Sequence, residues 1–199
     1  GPPMILAESR GSALFMTVVR DRQSVYDQVA AASSAHSLGI AARTIGILAK
    51  GFDATSARAL AQVILEETAV GAVAVTDTDR VLAFVGRGSD HHATGPIMSP
   101  LSRQAIDGNE LVFKDGVRDH FVCPRSPECP LDSVLVAPLR MEGTVLGTVQ
   151  LYEPRGKRFR NMNRSLGEGL TALLSNQLLL ARYQEQKSLL VVSELKLVQ

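Results

Sequence analysis

Three observations predict an α+β fold built on a central antiparallel sheet. Helical periodicities occupy both ends of the chain, whereas the middle alternates short runs rich in valine with turn residues. The clearest such pair, residues 133–141 and 144–152, is interrupted only by Glu142-Gly143 and reads as a β-hairpin. Strands bounded by helices in this order are expected to pack helices on one face of the sheet, with long N- and C-terminal helices flanking it.

The elements follow in order. From Val18 to Gly39, apolar or small positions at Val25, Val29 and Ala32 recur at a spacing that predicts a helix with a narrow pairing seam, interrupted by Arg22 and His36. Ile40, Ile47 and Leu48 continue a helical face that ends at Gly51, and Asp53 or Thr55 caps a second helix carrying Leu60, Val63, Ile64 and Thr68. Residues 72–75 and 81–85 then read as antiparallel strands about the turn Thr76-Asp77-Thr78-Asp79, which lacks the pattern of a cation-binding loop. Ser99-Pro100 opens a helix to about Gly108, with Ser99 as its cap. A short strand near residues 111–113 leads into a proline-broken loop over 118–132 and then the hairpin. The tail, residues 163–199, reads as one long helix: Ser165 to Glu168 has the form of a capping box, Leu170, Leu174, Leu178 and Ala181 form a buried stripe, and the mixed sequence beyond Gln184 suits a two-helix seam. Gly167 and Gly169 disfavour the first turns, so packing is expected to demand small residues at both.

The composition excludes several roles. Lys+Arg at 21 against Asp+Glu at 20 leaves a net charge of +1, which provides no field for nucleic acid. Two cysteines in 199 residues make no disulfide framework, and a reducing compartment is the expectation. No apolar run reaches the roughly 18 residues that span a bilayer.

Chemistry concentrates in two stretches. Asp90-His91-His92, together with Cys123-Pro124-Arg125-Ser126-Pro127-Glu128-Cys129-Pro130, gathers both cysteines and, with His120, three of the 4 histidines. Adjacent histidines point to opposite faces of a strand, so both reach one ligand only from a loop. Asp90 can orient one imidazole in a purely structural loop, or a histidine can serve a metal or small molecule. The cysteines are spaced more widely than in the usual zinc knuckle and leave three readings open: reduced structural thiols, a metal site with His91, His92 or His120, or a reversible redox pair.

Residues 90–97, Asp-His-His-Ala-Thr-Gly-Pro-Ile, and 129–139, Cys-Pro-Leu-Asp-Ser-Val-Leu-Val-Ala-Pro-Leu, resemble the sensory GAF domain of LytS-type membrane sensor histidine kinases. Residues 3–16 resemble the end of that family's membrane region, and residues 193–199 the run that precedes its phosphoacceptor histidine. The resemblance implies a membrane-exit and linker helix over 1–34, a GAF domain over 35–183, and a signalling helix over 184–199 leading to a kinase core. It further implies a homodimer joined through the flanking helices, lying on the cytoplasmic side of a bacterial inner membrane and coupled to a response regulator. This stretch would itself be noncatalytic, since it carries neither the phosphoacceptor histidine nor a nucleotide-binding domain. A GAF pocket is expected between the sheet and the loops crossing it, lined by Val75, Phe84, Ile97, Leu101, Phe121, Val134 and Val136, with Ser89, His91, His92 and Arg103 as polar contacts. The ligand class left open is a metal ion or a small metabolite. Against this stands a small redox or metal-dependent enzyme using Cys123 and Cys129, although neither the cysteine pattern of methionine-sulfoxide-reducing GAF proteins nor the cysteine-histidine pair of bilin-binding ones is present.

Overall fold

Alternation of apolar side chains along four adjacent strands gives the sheet two buried faces, and this determines the architecture. The computed structural model describes residues 37–119, 122–156 and 162–197, all within one compact unit, Ser37–Gln199. Helix α1, described over 37–48, is followed by α2 (Ala54–Thr68), β1 (Ala72–Thr76), β2 (Arg80–Gly86), β3 (Gly95–Pro96), α3 (Pro100–Gly108), β4 (Val112–Lys114), α4 (Gly116–Asp119), β5 (Leu131–Met141), β6 (Thr144–Pro154) and α5 (Arg164–Leu197). The strands form one sheet in the order β3-β2-β1-β6-β5-β4, antiparallel at every pairing.

One face buries Val73, Val75, Ala83, Val85, Leu135, Leu139, Val149 and Leu151 against Ile40, Leu48, Leu60, Ile64, Leu170 and Leu174 of α1, α2 and α5. The opposite face buries Ala72, Ala74, Phe84, Val134, Val136 and Tyr152 beneath α3 and the loop bearing the cysteines. The helices thus lie mainly on one face as the sequence predicts, with short α3 added on the other. Val75, expected in the pocket lining, belongs to the helical face because strand residues two apart share a side and Val75 follows Val73.

Local chemistry explains the element ends. Asp53 caps α2, its carboxylate accepting the N–H groups of Thr55 and Ser56, while the Ser56 hydroxyl accepts the Asp53 N–H. Ser99 precedes α3 without a side-chain cap, leaving Pro100 to set the start. At α5 the capping role expected of Ser165 falls to Asn163, whose Oδ1 accepts the Leu166 N–H at 2.8 Å. Gly167 meets its predicted packing constraint, since a Cβ there would lie 2.4 Å from Leu111 and 2.9 Å from Leu135. Gly169 does not: nothing lies within 4 Å of its Cβ position. The two-residue strand β3 and the single turn α4 escape sequence reading because neither is long enough to show a period.

From Leu166 to Leu178, α5 buries a leucine every fourth residue on the sheet, and Gln177 ties it to α1 by accepting from Thr44 Oγ1 and donating to the Ala41 carbonyl. Farther along, Tyr183, Leu189, Leu190, Val191, Val192 and Leu195 of the same helix are exposed.

Candidate functional site

Strand register brings the two chemical stretches together. Ala72 of β1 lies between Gly86 of β2 and Tyr152 of β6, and Tyr152 faces Val134 of β5. The turn leaving β2 and the loop entering β5 therefore emerge at the same end of the sheet, although some thirty residues of chain separate the histidines from Cys123. After β2 the chain turns on Gly88, whose carbonyl accepts the N–H groups of both His91 and His92. Gly88 has φ of +84°, and a Cβ there would lie 3.2 Å from the His92 ring and 3.4 Å from that of His91. A glycine thus permits both the turn and the imidazoles packed on it. The turn resolves the objection from adjacency, because both histidines reach one point.

That point is shared by His91, His92, Cys123 and Cys129, whose ligand atoms all lie within 4.8 Å of one another. His92 Nε2 is 3.4 Å from Cys129 Sγ and 3.5 Å from Cys123 Sγ. The His92 ring stacks on Phe84 at 4.7 Å between centroids, and the two imidazoles are 4.3 Å apart. His91 Nδ1 is held by Asp90 Oδ1 at 3.1 Å, while its Nε2 is buried without a hydrogen-bond partner among the described residues. The Arg125 N–H points to Cys123 Sγ at 3.4 Å, and the Cys129 N–H donates to the Ser126 carbonyl. Both cysteines are buried free thiols.

Burial shifts the titration of His92 and Cys129. It lowers His92 from 6.5 to about 4, helped by His91 and Arg125, so the imidazole is neutral at neutral pH. It raises the Cys129 thiol from 9.0 to about 11, with the Cys123 sulfur opposing ionisation as well. A neutral imidazole is a ready ligand, and a thiol held protonated is a weak nucleophile.

The remaining candidates divide. Phe84, His92 and Ile97 line a cavity of about 50 Å³, closed by Pro124, Arg125, Gln150 and Tyr152. This holds little more than a water or two, far below the several hundred Å³ of typical ligand pockets. Ser89 lies instead on a broad groove between α2 and β2, which His92 and Phe84 also border. Leu101, Val134 and Val136 belong to the apolar cluster beneath α3. Arg103 does not line the cavity; it donates to the Thr78 carbonyl and approaches Asp107 at 3.9 Å. His120 and Phe121 lie outside the described residues. Sequence reasoning missed a buried polar chain in which Tyr152 donates to Gln150 Oε1 at 2.6 Å and Gln150 Nε2 donates to the Ser102 and Thr148 hydroxyls. Its signal was the polar alternation Thr148, Gln150, Tyr152 along one face of an otherwise apolar strand.

A central antiparallel sheet, with helices packed mainly on one face and the histidine and cysteine loops crossing the other, defines the class as an α+β domain with a loop-built cluster. The GAF domain family model matches residues 49–178, and the chain belongs to that family. It is 43% identical over 198 residues to the sensor histidine kinase BtsS of Escherichia coli (strain K12), covering 98% of this chain and 35% of that protein. It is 31% identical over 198 residues to the sensor histidine kinase/phosphatase LytS of Staphylococcus aureus (strain Mu50 / ATCC 700699), covering 99% and 34%. The chain thus spans about a third of the length of these curated relatives. Among solved structures it resembles the GAF domain of an Acinetobacter phosphoenolpyruvate-protein phosphotransferase, with TM-score 0.56 and 15% identity over 75% of this chain and 94% of that one. A free methionine-R-sulfoxide reductase from Neisseria meningitidis superposes with TM-score 0.53 and 16% identity over 74% and 91%. At these identities the structural likeness establishes the fold alone.

Proposed function

We propose that the chain is the noncatalytic sensory and dimerisation module of a two-component sensor histidine kinase, converting an event at the loop face into a change in helix pairing. The observation that carries this reading is the continuity of α5. Its first half is buried on the sheet, and the same helix continues with an apolar surface that this domain leaves uncovered. A rigid helix anchored at one end transmits a small shift of the domain to whatever follows. Similarity to two sensor histidine kinases over nearly the whole chain supports the same assignment. In such a protein the module lies on the cytoplasmic side of an anchoring membrane region, and a kinase core follows it and phosphorylates a response regulator. Among the described residues no helix is long and apolar enough to cross a membrane, so the anchor belongs outside them.

The alternative, a small redox or metal-dependent enzyme using Cys123 and Cys129, is disfavoured by the burial of both thiols.

The test has two parts. Light scattering on the chain should report a dimer at tens of micromolar, and deletion of residues 184–199 should yield a monomer; a monomeric intact chain overturns the reading. In the kinase context, inserting one residue after Gln184 rotates the following helix by about 100° and should change autophosphorylation, whereas an insertion of about seven residues should restore it. Indifference to both insertions also counts against the proposal.

A further inference from the structure

We propose that His91, His92, Cys123 and Cys129 form a closed tetrahedral site for one zinc ion, and that the metal fastens the cysteine loop to the turn after β2. The proposal rests on the sensory reading only for its signalling consequence; the metal site itself is independent of dimerisation.

Geometry supports it first. Zinc bonds of about 2.0–2.1 Å to nitrogen and 2.3 Å to sulfur place tetrahedral ligands about 3.3–3.8 Å apart. Both contacts of His92 Nε2 to sulfur, 3.4 and 3.5 Å, already have that length, and all four donors fall within 4.8 Å. Inward movements of about 1 Å or less bring the remaining pairs from within 4.8 Å to tetrahedral spacing.

The second support is orientation. A buried ring nitrogen without a partner is costly, and His91 Nε2 is in that state among the described residues. With Nδ1–H donating to the Asp90 carboxylate, the lone pair of His91 lies on the buried Nε2. This carboxylate–histidine pairing is the arrangement that orients metal-bound imidazoles. On the sulfur side, the backbone N–H of Arg125 meets Cys123 Sγ and fixes its position at the cluster.

The donor set then selects the metal. Two sulfurs and two imidazoles suit zinc, while magnesium and calcium require oxygen ligands that this cluster lacks. Four protein donors leave no open coordination position, so the site holds structure rather than performing hydrolysis. Each thiol releases its proton to solvent when it binds, and no oxidation state changes. Two thiolates neutralise the dication, which makes the buried site electrically acceptable. The linked segments follow β2 and precede β5, some thirty residues apart in the chain, and Pro124 and Arg125, beside Cys123, form part of the wall of the small cavity. Metal occupancy therefore determines how firmly that wall is held.

The full chain, purified without a metal-affinity tag, supplemented with zinc and desalted, should retain about one zinc per chain. Its cobalt-substituted form should show thiolate-to-metal charge transfer and the intense visible bands of tetrahedral coordination. Cys129→Ser and His91→Gln should both lose the zinc, with circular dichroism confirming folding; the partly exposed His91 provides the safer variant should Cys129→Ser fail to fold. Asp90→Asn should retain the ion but bind it about 10–100-fold more weakly in chelator competition. The proposal is overturned if the wild type retains no zinc, if cobalt gives no charge-transfer band, if both thiols react equally fast with and without zinc, or if they form a disulfide without taking up metal. Light scattering on the same samples separates the two readings: a zinc-free dimer removes the metal site and leaves the sensory module, while a zinc-bound monomer does the reverse.

Discussion

At the scale of single residues, the loop face depends on positions where one atom decides the outcome. Gly88→Ala adds a methyl group to a backbone at φ +84° and against two imidazoles. It should lower stability by about 1–2 kcal/mol, read as a fall in melting temperature, and an unchanged value would show that the turn relaxes freely. Val136 is 1% exposed and lies between Val112 and Gln150 in the sheet. Val136→Asp would bury an unpaired carboxylate at about 3–5 kcal/mol, enough to unfold a marginal domain, so a variant with wild-type denaturant midpoint would place that side chain in solvent. Asp53 offers a pH test. Backbone N–H groups of Ser56 and Thr55 hold its carboxyl below the usual 3.8. A lowered folded-state pKa contributes stability that is present above the unfolded value and lost as pH falls through the folded one. Urea titrations of the wild type and Asp53→Asn should differ at neutral pH and converge below the ordinary carboxylate range; a gap independent of pH would assign the cap's effect to geometry alone.

At the scale of elements, the start of α5 separates two roles of glycine that composition treats alike. Gly169 faces open space, so Gly169→Ala should stabilise the helix by up to about 1 kcal/mol. Gly167→Ala gains the same helix propensity but presses on Leu111 and Leu135, and overpacking costs about 1–3 kcal/mol. The melting temperatures should therefore rank Gly169→Ala above wild type and Gly167→Ala below Gly169→Ala; equal shifts would show that the leucines yield without cost. The elements themselves were largely legible. Alternating valines in β1, β2, β5 and β6 and the four-residue leucine spacing of α5 announce their own periods, and Asp53 carries a capping signal with a local cause. Asn163 displaced Ser165 as cap because helix starts are decided by backbone conformation, which the pattern Ser165 to Glu168 does not contain. Val75 was misplaced because a strand buried on both faces has no polar side to reveal which residues face which layer.

At the scale of the whole molecule, local sequence determined the fold class, the strands and helices, and the residue types able to bind a metal or a small molecule. These follow from periodicity and turn chemistry acting over a few residues. Only the tertiary structure decided that the end of β2 and the start of β5 lie at the same end of the sheet, with β1 and β6 between them, and so that two adjacent histidines meet two distant cysteines. It also left a cavity of only about 50 Å³ beside Phe84, His92 and Ile97 and tied Arg103 to the Thr78 carbonyl. Strand order and register are set by how complete hydrophobic faces pack together, a property of the assembled sheet that no single segment possesses. The donors were visible in the chain; their convergence, and the burial of His91 Nε2, came from packing.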